Sequence, residues 1–234
     1  MATENGFADQ LGDLLNTPTP PLPNAFVITL GVLALTAGVT ATWFRYLTVV
    51  NTLFHEAGHA VAAVLTGGGV YTIRIHTHES GVTHAWFSTR ASDFATTFAG
   101  YATPPLAGLG IARLVHDQKA ATALLLLTIV SAGVLLVSRD LLTVVVTSVT
   151  AAVSASGVWW GSLWVHGVLA TVVAWMFLVC EATHLVKELV ARYVLGRHME
   201  SDADWLGGPS LLWYVAWLAL NGWCLWVAVP LLLR

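Results

Sequence analysis

Five consecutive residues, His55-Glu56-Ala57-Gly58-His59, have the types and spacing of a metal-assisted hydrolytic centre. On a helix, residues i and i+4 project from one face, so both imidazoles can reach a single metal ion. Two imidazole nitrogens suit Zn2+, and the carboxylate of Glu56 sits beside them where a general base for water is needed. Ala57 and Gly58 keep the neighbouring helix surface low. The surrounding stretch, residues 46–66, is apolar. Three ionisable groups in a membrane helix are costly unless they are paired or bound to something. The plainer alternative is a satisfied polar cluster between helices.

A catalytic zinc usually keeps three protein ligands and one water, so a third ligand must come from elsewhere in the chain. Asp93, Asp140, Glu181, Asp202, Asp204, His166 and His184 are the candidates. Ser201-Asp202-Ala203-Asp204 stands out because it immediately precedes the last apolar run, where a carboxylate can point into a helix bundle. Helix capping competes, since Ser201 with Asp204 three residues on is a capping-box pattern. Capping accounts for Asp204 better than for Asp202, so Asp202 is the first choice as ligand and Asp204 the second. Asn51, one turn before His55, can serve either a substrate backbone or a neighbouring helix. His76, His78 and His84 form a loose cluster that reads as solvated or interfacial, with an accessory metal or pH-sensing role as the alternative. Arg139-Asp140 reads as a structural ion pair or an interfacial turn. Gly100, Gly108 and Gly110, with Ala107, suit close helix packing.

The elements that must position these residues are membrane helices. The chain has 234 residues, 56% hydrophobic and 10% charged. An ordinary soluble domain carries about 25% charged residues, so lipid must cover much of this one. A net charge of −3 leaves no nucleic-acid footprint. A helical span needs about 20 mainly apolar residues. Candidate runs lie at residues 25–44, 46–66, 93–115, 120–137, 141–156, 163–186 and 210–233. The first two can merge into one bent helix, and the two flanking Arg139-Asp140 into one kinked unit. The expectation is therefore an all-α polytopic membrane protein with about six or seven helices. One segment departs from it. After Gly67-Gly68-Gly69, residues 70–76 alternate, with Tyr71, Ile73 and Ile75 on one face. Residues 77–81 supply a turn and 82–88 a return strand, which predicts a small β-hairpin beside the helix of the histidines.

Residues 1–24 hold Glu4, Asp9 and Asp13 but no Lys or Arg, and end in a proline-rich run. They read as a flexible tether ahead of a single membrane-embedded domain, residues 25–234. Cys180 and Cys224 fall in apolar runs and read as small buried hydrophobes. Trp159, Trp160 and Trp164, like Trp223 and Trp226, suit interfacial aromatic belts. With seven spans, alternate loops hold Arg74, Arg90, Arg139, Lys187, Arg192 and Arg197 against Arg45, Arg113, Lys119 and Arg234, a bias too small to orient the chain.

An ordered set of segments carries a resemblance. Phe54-His55-Glu56-Ala57-Gly58-His59-Ala60 is followed by Thr66-Gly67-Gly68, Ser80-Gly81-Val82-Thr83 and Phe98-Ala99-Gly100-Tyr101 with Pro104-Pro105. Ser201-Asp202-Ala203-Asp204 then leads to Leu206, Pro209 and Trp213. The set resembles the site-2 protease family of intramembrane zinc metalloproteases, in particular its compact bacterial branch. The resemblance implies a bacterial cell-membrane protein with its active site within the bilayer. It also implies a carboxylate third ligand and a hairpin that aligns an unfolded substrate strand, which makes Ile73 and Ile75 the candidate substrate-binding residues. The expected substrate is another protein's membrane-spanning segment, and a regulatory membrane partner is implied as well. One departure is the short run from Leu206 into Gly207-Gly208-Pro209, which shifts the expected start of the last helix. Two rivals come from other classes. A metal-binding scaffold without activity has no need of Glu56, and a metal transporter would space ionisable groups along a path, whereas here they concentrate at two places.

Overall fold

The computed structural model describes residues 6–40, 45–77, 80–197 and 200–233. Lipid offers a peptide backbone no hydrogen-bond partner, so apolar runs must fold as helices. Seven long helices match the seven expected runs: α2 (Asn24–Thr40), α3 (Arg45–Leu65), α4 (Arg90–His116), α5 (Ala120–Val137), α6 (Leu141–Trp160), α7 (Leu163–Tyr193) and α9 (Ser210–Leu232). Two shorter helices complete the set, α1 (Phe7–Asn16) and α8 (Asp202–Trp205). Among the described residues, α5, α6, α7 and α9 are long and apolar enough to cross a membrane, four candidate spans by length and composition. α3 and α4 give up apolar character to the polar side chains of the site.

The hairpin is present as β1 (Gly69–Thr77) and β2 (Ser80–Trp86), an antiparallel pair in which Ile73 faces Thr83 and Ile75 faces Gly81. It is seated on the α5–α6 turn. The backbone N–H of Ile75 donates to Thr143 Oγ1 at 2.7 Å, and Ile73 forms a parallel bridge with Ser138. The outer edge of β1 is therefore occupied. The turn itself is a capped connection: Asp140 Oδ1 accepts from the Thr143 N–H at 3.0 Å, while Arg139 donates to the carbonyls of Leu136 and Ser138. Arg139-Asp140 is thus a turn between two separate helices.

The core lies where α3, α5, α7 and the hairpin meet, around Leu53, Phe54, Ile73, Ile75, Leu124 and Phe177. A second cluster, Tyr101, Leu185, Ala203, Tyr214 and Trp217, packs beneath α8. Small residues let helices approach as expected at Gly108, where an added Cβ would lie 2.9 Å from the Leu178 side chain. At Gly110 nothing lies within 4 Å, so that glycine packs against no neighbour. Both cysteines are free and buried. α1 sets Phe7 against Trp159 with ring centroids 5.2 Å apart, the Thr19 N–H donates to the Gln118 carbonyl at 2.8 Å, and Leu22 joins the core.

Candidate metal centre and its cavity

His55 and His59 sit one turn apart on α3, with rings edge-on at 78°. Their Nε2 atoms lie 3.2 Å apart. Asp202, the first residue of α8, brings Oδ2 to 3.3 Å from His55 Nε2 and 3.2 Å from His59 Nε2. Donors at about 2.0–2.1 Å from a tetrahedral zinc are about 3.3–3.4 Å apart, so the triangle has the size the ion requires. Among the described residues no other trio of His, Cys, Asp or Glu converges this way, and Asp202 Oδ2 has no hydrogen-bond partner. The room is made by Gly100 on α4. A Cβ there would lie 2.5 Å from His59 Nε2 and 2.6 Å from His55 Nε2, on top of the converging donors.

The opposite edges of the rings are also held. His59 Nδ1 is 2.7 Å from the Thr96 carbonyl, which can only accept, so Nδ1 carries the proton and Nε2 keeps its lone pair free. Glu56 is buried, and its Oε2 accepts from the Thr83 hydroxyl at 2.6 Å. Gly81 lets β2 come this close, because a Cβ there would meet Glu56 Oε1 at 2.6 Å. Asp204 faces away. It binds Arg192 through two bonds of 2.6 and 2.5 Å and accepts the Ser201 N–H at 3.2 Å, as capping predicts. The extra turn α8 ends at Trp205 with Leu206 as its C-cap, and Gly207 and Gly208, at φ of 74° and 75°, lead to Pro209 before α9 begins. Only glycine adopts such angles freely.

His55, Glu56, His59, Thr83, Thr96 and Asp202 line one cavity of about 580 Å3, bounded by α3, α4, α7, α8 and the hairpin. The profile described as Peptidase M50B-like matches residues 27–228. The chain belongs to this family, the site-2 proteases. No curated protein and no solved structure matches it. Peptidases of this family are metal-dependent, and His55, His59 and Asp202 are a set that can bind a metal.

The other predicted site residues of this site-2 protease family member are dispersed. Ile73 and Ile75 are 0% and 2% exposed, in the core. Neither residue is among those lining the cavity. The two isoleucines turn inward, whereas Tyr71, at the register shift between Val70 and Thr72, is exposed. Hairpin residues that do line the cavity are His76, Ser80, Gly81, Val82 and Thr83. His84 is exposed and absent from the lining, and His78 lies outside the described residues. Asp93 is in the first turn of α4, Asp140 caps α6, His166 is buried in α7, and His184 lies 3.7 Å from Glu188. Asn51 donates to Glu181, so it serves a neighbouring helix.

Two further cavity residues, Tyr101 and Glu188, had no site role in the sequence reading, although Tyr101 lies in one of its motifs. The Tyr101 ring is edge-on to His55 with centroids 4.5 Å apart, and its hydroxyl donates to Glu188 Oε2 at 2.6 Å. A signal existed for Glu188: Glu181, His184 and Glu188 recur at helical spacing within an otherwise apolar run.

Proposed function

We propose that this protein is an intramembrane zinc endopeptidase that cleaves other proteins within or near their membrane-spanning segments. The observation that carries the reading is the triangle of His55 Nε2, His59 Nε2 and Asp202 Oδ2, with edges of 3.2–3.3 Å, opening into a cavity beside Glu56. Two histidines and one carboxylate leave a fourth position open, as in hydrolytic zinc sites. When bound, the ion would supply Lewis acidity toward water and the scissile carbonyl. Glu56 takes the water proton and passes it to the leaving amine. Its hydrogen bond from Thr83 holds the carboxylate in place and yields when substrate and water enter.

A substrate helix shields its own carbonyls, so it must unwind before cleavage. The hairpin provides for this. β1 is paired on both sides, whereas β2 is an edge among the described strands, with Ser80–Thr83 lining the cavity. An extended substrate adding along β2 would exchange main-chain hydrogen bonds with it.

The deciding comparison is Glu56→Gln beside wild type, in proteoliposomes with a panel of single-pass proteins. Both forms are expected to bind about one zinc per chain, the stoichiometry of a single three-ligand site. Cleavage by the Gln form should fall at least about 10²-fold, the low end of what a positioned base contributes. Equal cleavage by the two forms excludes Glu56 as the base. A zinc-loaded wild type that cleaves none of the panel moves the reading to an inactive metal-binding scaffold.

A further inference from the structure

Glu181 is a carboxylate with no part in the mechanism above, yet it is 1% exposed on an apolar membrane helix, α7. Burying such a group is expensive unless it has a charged or donating partner. Among the described residues, two side chains of α3 face it. Asn51 Nδ2 donates to Oε2 at 2.5 Å, and His55 Nδ1 lies 3.6 Å from Oε1. Among the described residues, Oε1 has no hydrogen-bond partner. The His55 ring therefore stands between two carboxylates, with Glu181 at its Nδ1 edge and Asp202 at its Nε2 edge. Glu181 is on the wrong side of the ring to reach an ion held at Nε2, so it is not a ligand.

We infer that Glu181 is a positioning residue for the metal centre, acting through His55, with Asn51 aiming the carboxylate. The inference rests on the reading of His55, His59 and Asp202 as ligands. A carboxylate at Nδ1 holds the proton on that nitrogen, directs the Nε2 lone pair at the ion and raises the basicity of the imidazole. His59 has a neutral counterpart in the Thr96 carbonyl. The two histidines thus differ: one is backed by a charge and the other by a dipole. Asn51, one turn before His55, links the two helices so that the carboxylate cannot swing away. The rival explanation is that Asn51 and Glu181 are only a polar clasp between α3 and α7.

Glu181→Gln separates the two. The Gln carbonyl still accepts from Asn51, so the clasp survives, but the charge facing His55 is gone. Purified wild type and variant are compared for zinc affinity by chelator competition, and for the visible absorption of the Co2+-loaded forms. Loss of a carboxylate behind a histidine ligand costs roughly 10–100-fold in metal affinity. That fall is expected here, with shifted or weakened Co2+ bands and an unchanged near-ultraviolet circular dichroism spectrum of the metal-free protein. Affinities within threefold and superimposable Co2+ bands reduce Glu181 to a clasp and overturn the inference. Should the Gln form fail to fold, Glu181→Asp is measured instead. It keeps the charge and draws it back from His55 by one methylene, so affinity should fall at least threefold, and equality with wild type again overturns the inference. A wild type that takes up no metal removes the ligand assignment itself, whereas a wild type that binds normally beside an unaffected variant removes only the role of Glu181.

Discussion

At the scale of single residues, the two aspartates of Ser201-Asp202-Ala203-Asp204 divide the work. Asp202 points its Oδ2 at both histidines, and Asp204 is bound by Arg192. Asp202→Ala removes one of three donors and should weaken zinc binding by more than about 100-fold, beyond the usual effect of losing a supporting residue. Asp204→Ala should leave affinity nearly unchanged and lower stability by roughly 0.5–2 kcal/mol, the range of a lost helix cap. Chelator competition and thermal unfolding of the two variants check this, and reversed phenotypes would make Asp204 the ligand. Gly100→Ala is the sharpest test of the geometry. Its methyl would enter the space between the two Nε2 atoms, so metal content should collapse while the helices remain, as metal analysis and far-ultraviolet circular dichroism would report. Full zinc occupancy in that variant would contradict the placement.

At the scale of elements, the hairpin works because it is anchored at one edge and open at the other. Thr143 holds β1 to α6 by accepting the Ile75 N–H, and Thr83 holds β2 to Glu56. Thr143→Val removes that acceptor and leaves a buried N–H unpaired, which costs about 1–3 kcal/mol. The expected outcome is faster amide exchange across 69–86 and reduced cleavage with zinc affinity unchanged. Unaltered exchange would mean that the hairpin is held by its apolar face alone. The alternation of Tyr71, Ile73 and Ile75 made the strand legible, but two faces were open to it. Only docking on α3, α5 and α6 decided that the isoleucines go inward and that the β2 edge meets the site.

At the scale of the whole molecule, the packing sorts the charged loops into two ends. The end bearing the hairpin, the α5–α6 turn and α8 carries Arg74, Arg90, Arg139, Lys187, Arg192 and Arg197. The end where His116 meets Leu231 and Thr19 meets Gln118 carries Arg113 and Lys119 among the described residues. Over the full sequence alternate loops hold six Lys/Arg against four, too small a bias to orient the chain by charge, so labelling decides which side the cavity end faces. Single cysteines at Arg197 and Asp117, in a background lacking Cys180 and Cys224, give the measurement. A membrane-impermeant thiol reagent applied to intact cells should label one and spare the other, and equal labelling of both would contradict their placement at opposite ends.

The amino-acid sequence by itself determined the membrane helices, the hairpin and the pair His55 and His59 with Glu56. Each follows from local chemistry: an apolar run must satisfy its own backbone, an alternating run builds a pleated face, and residues four apart on a helix share a side. The sequence also narrowed the third ligand to a short acidic motif, because capping already explained Asp204. What only the tertiary structure decided depends on residues far apart in the chain. The ring of His55 lies between Asp202 and Glu181, more than a hundred positions away, and no periodicity couples those distances. Gly100 reads as a packing glycine until α4 is laid across α3, and then its missing side chain is the space the donors share. The sequence lists which groups a membrane would not tolerate alone, and the packing of α3 against α4, α7 and α8 determines which of them meet.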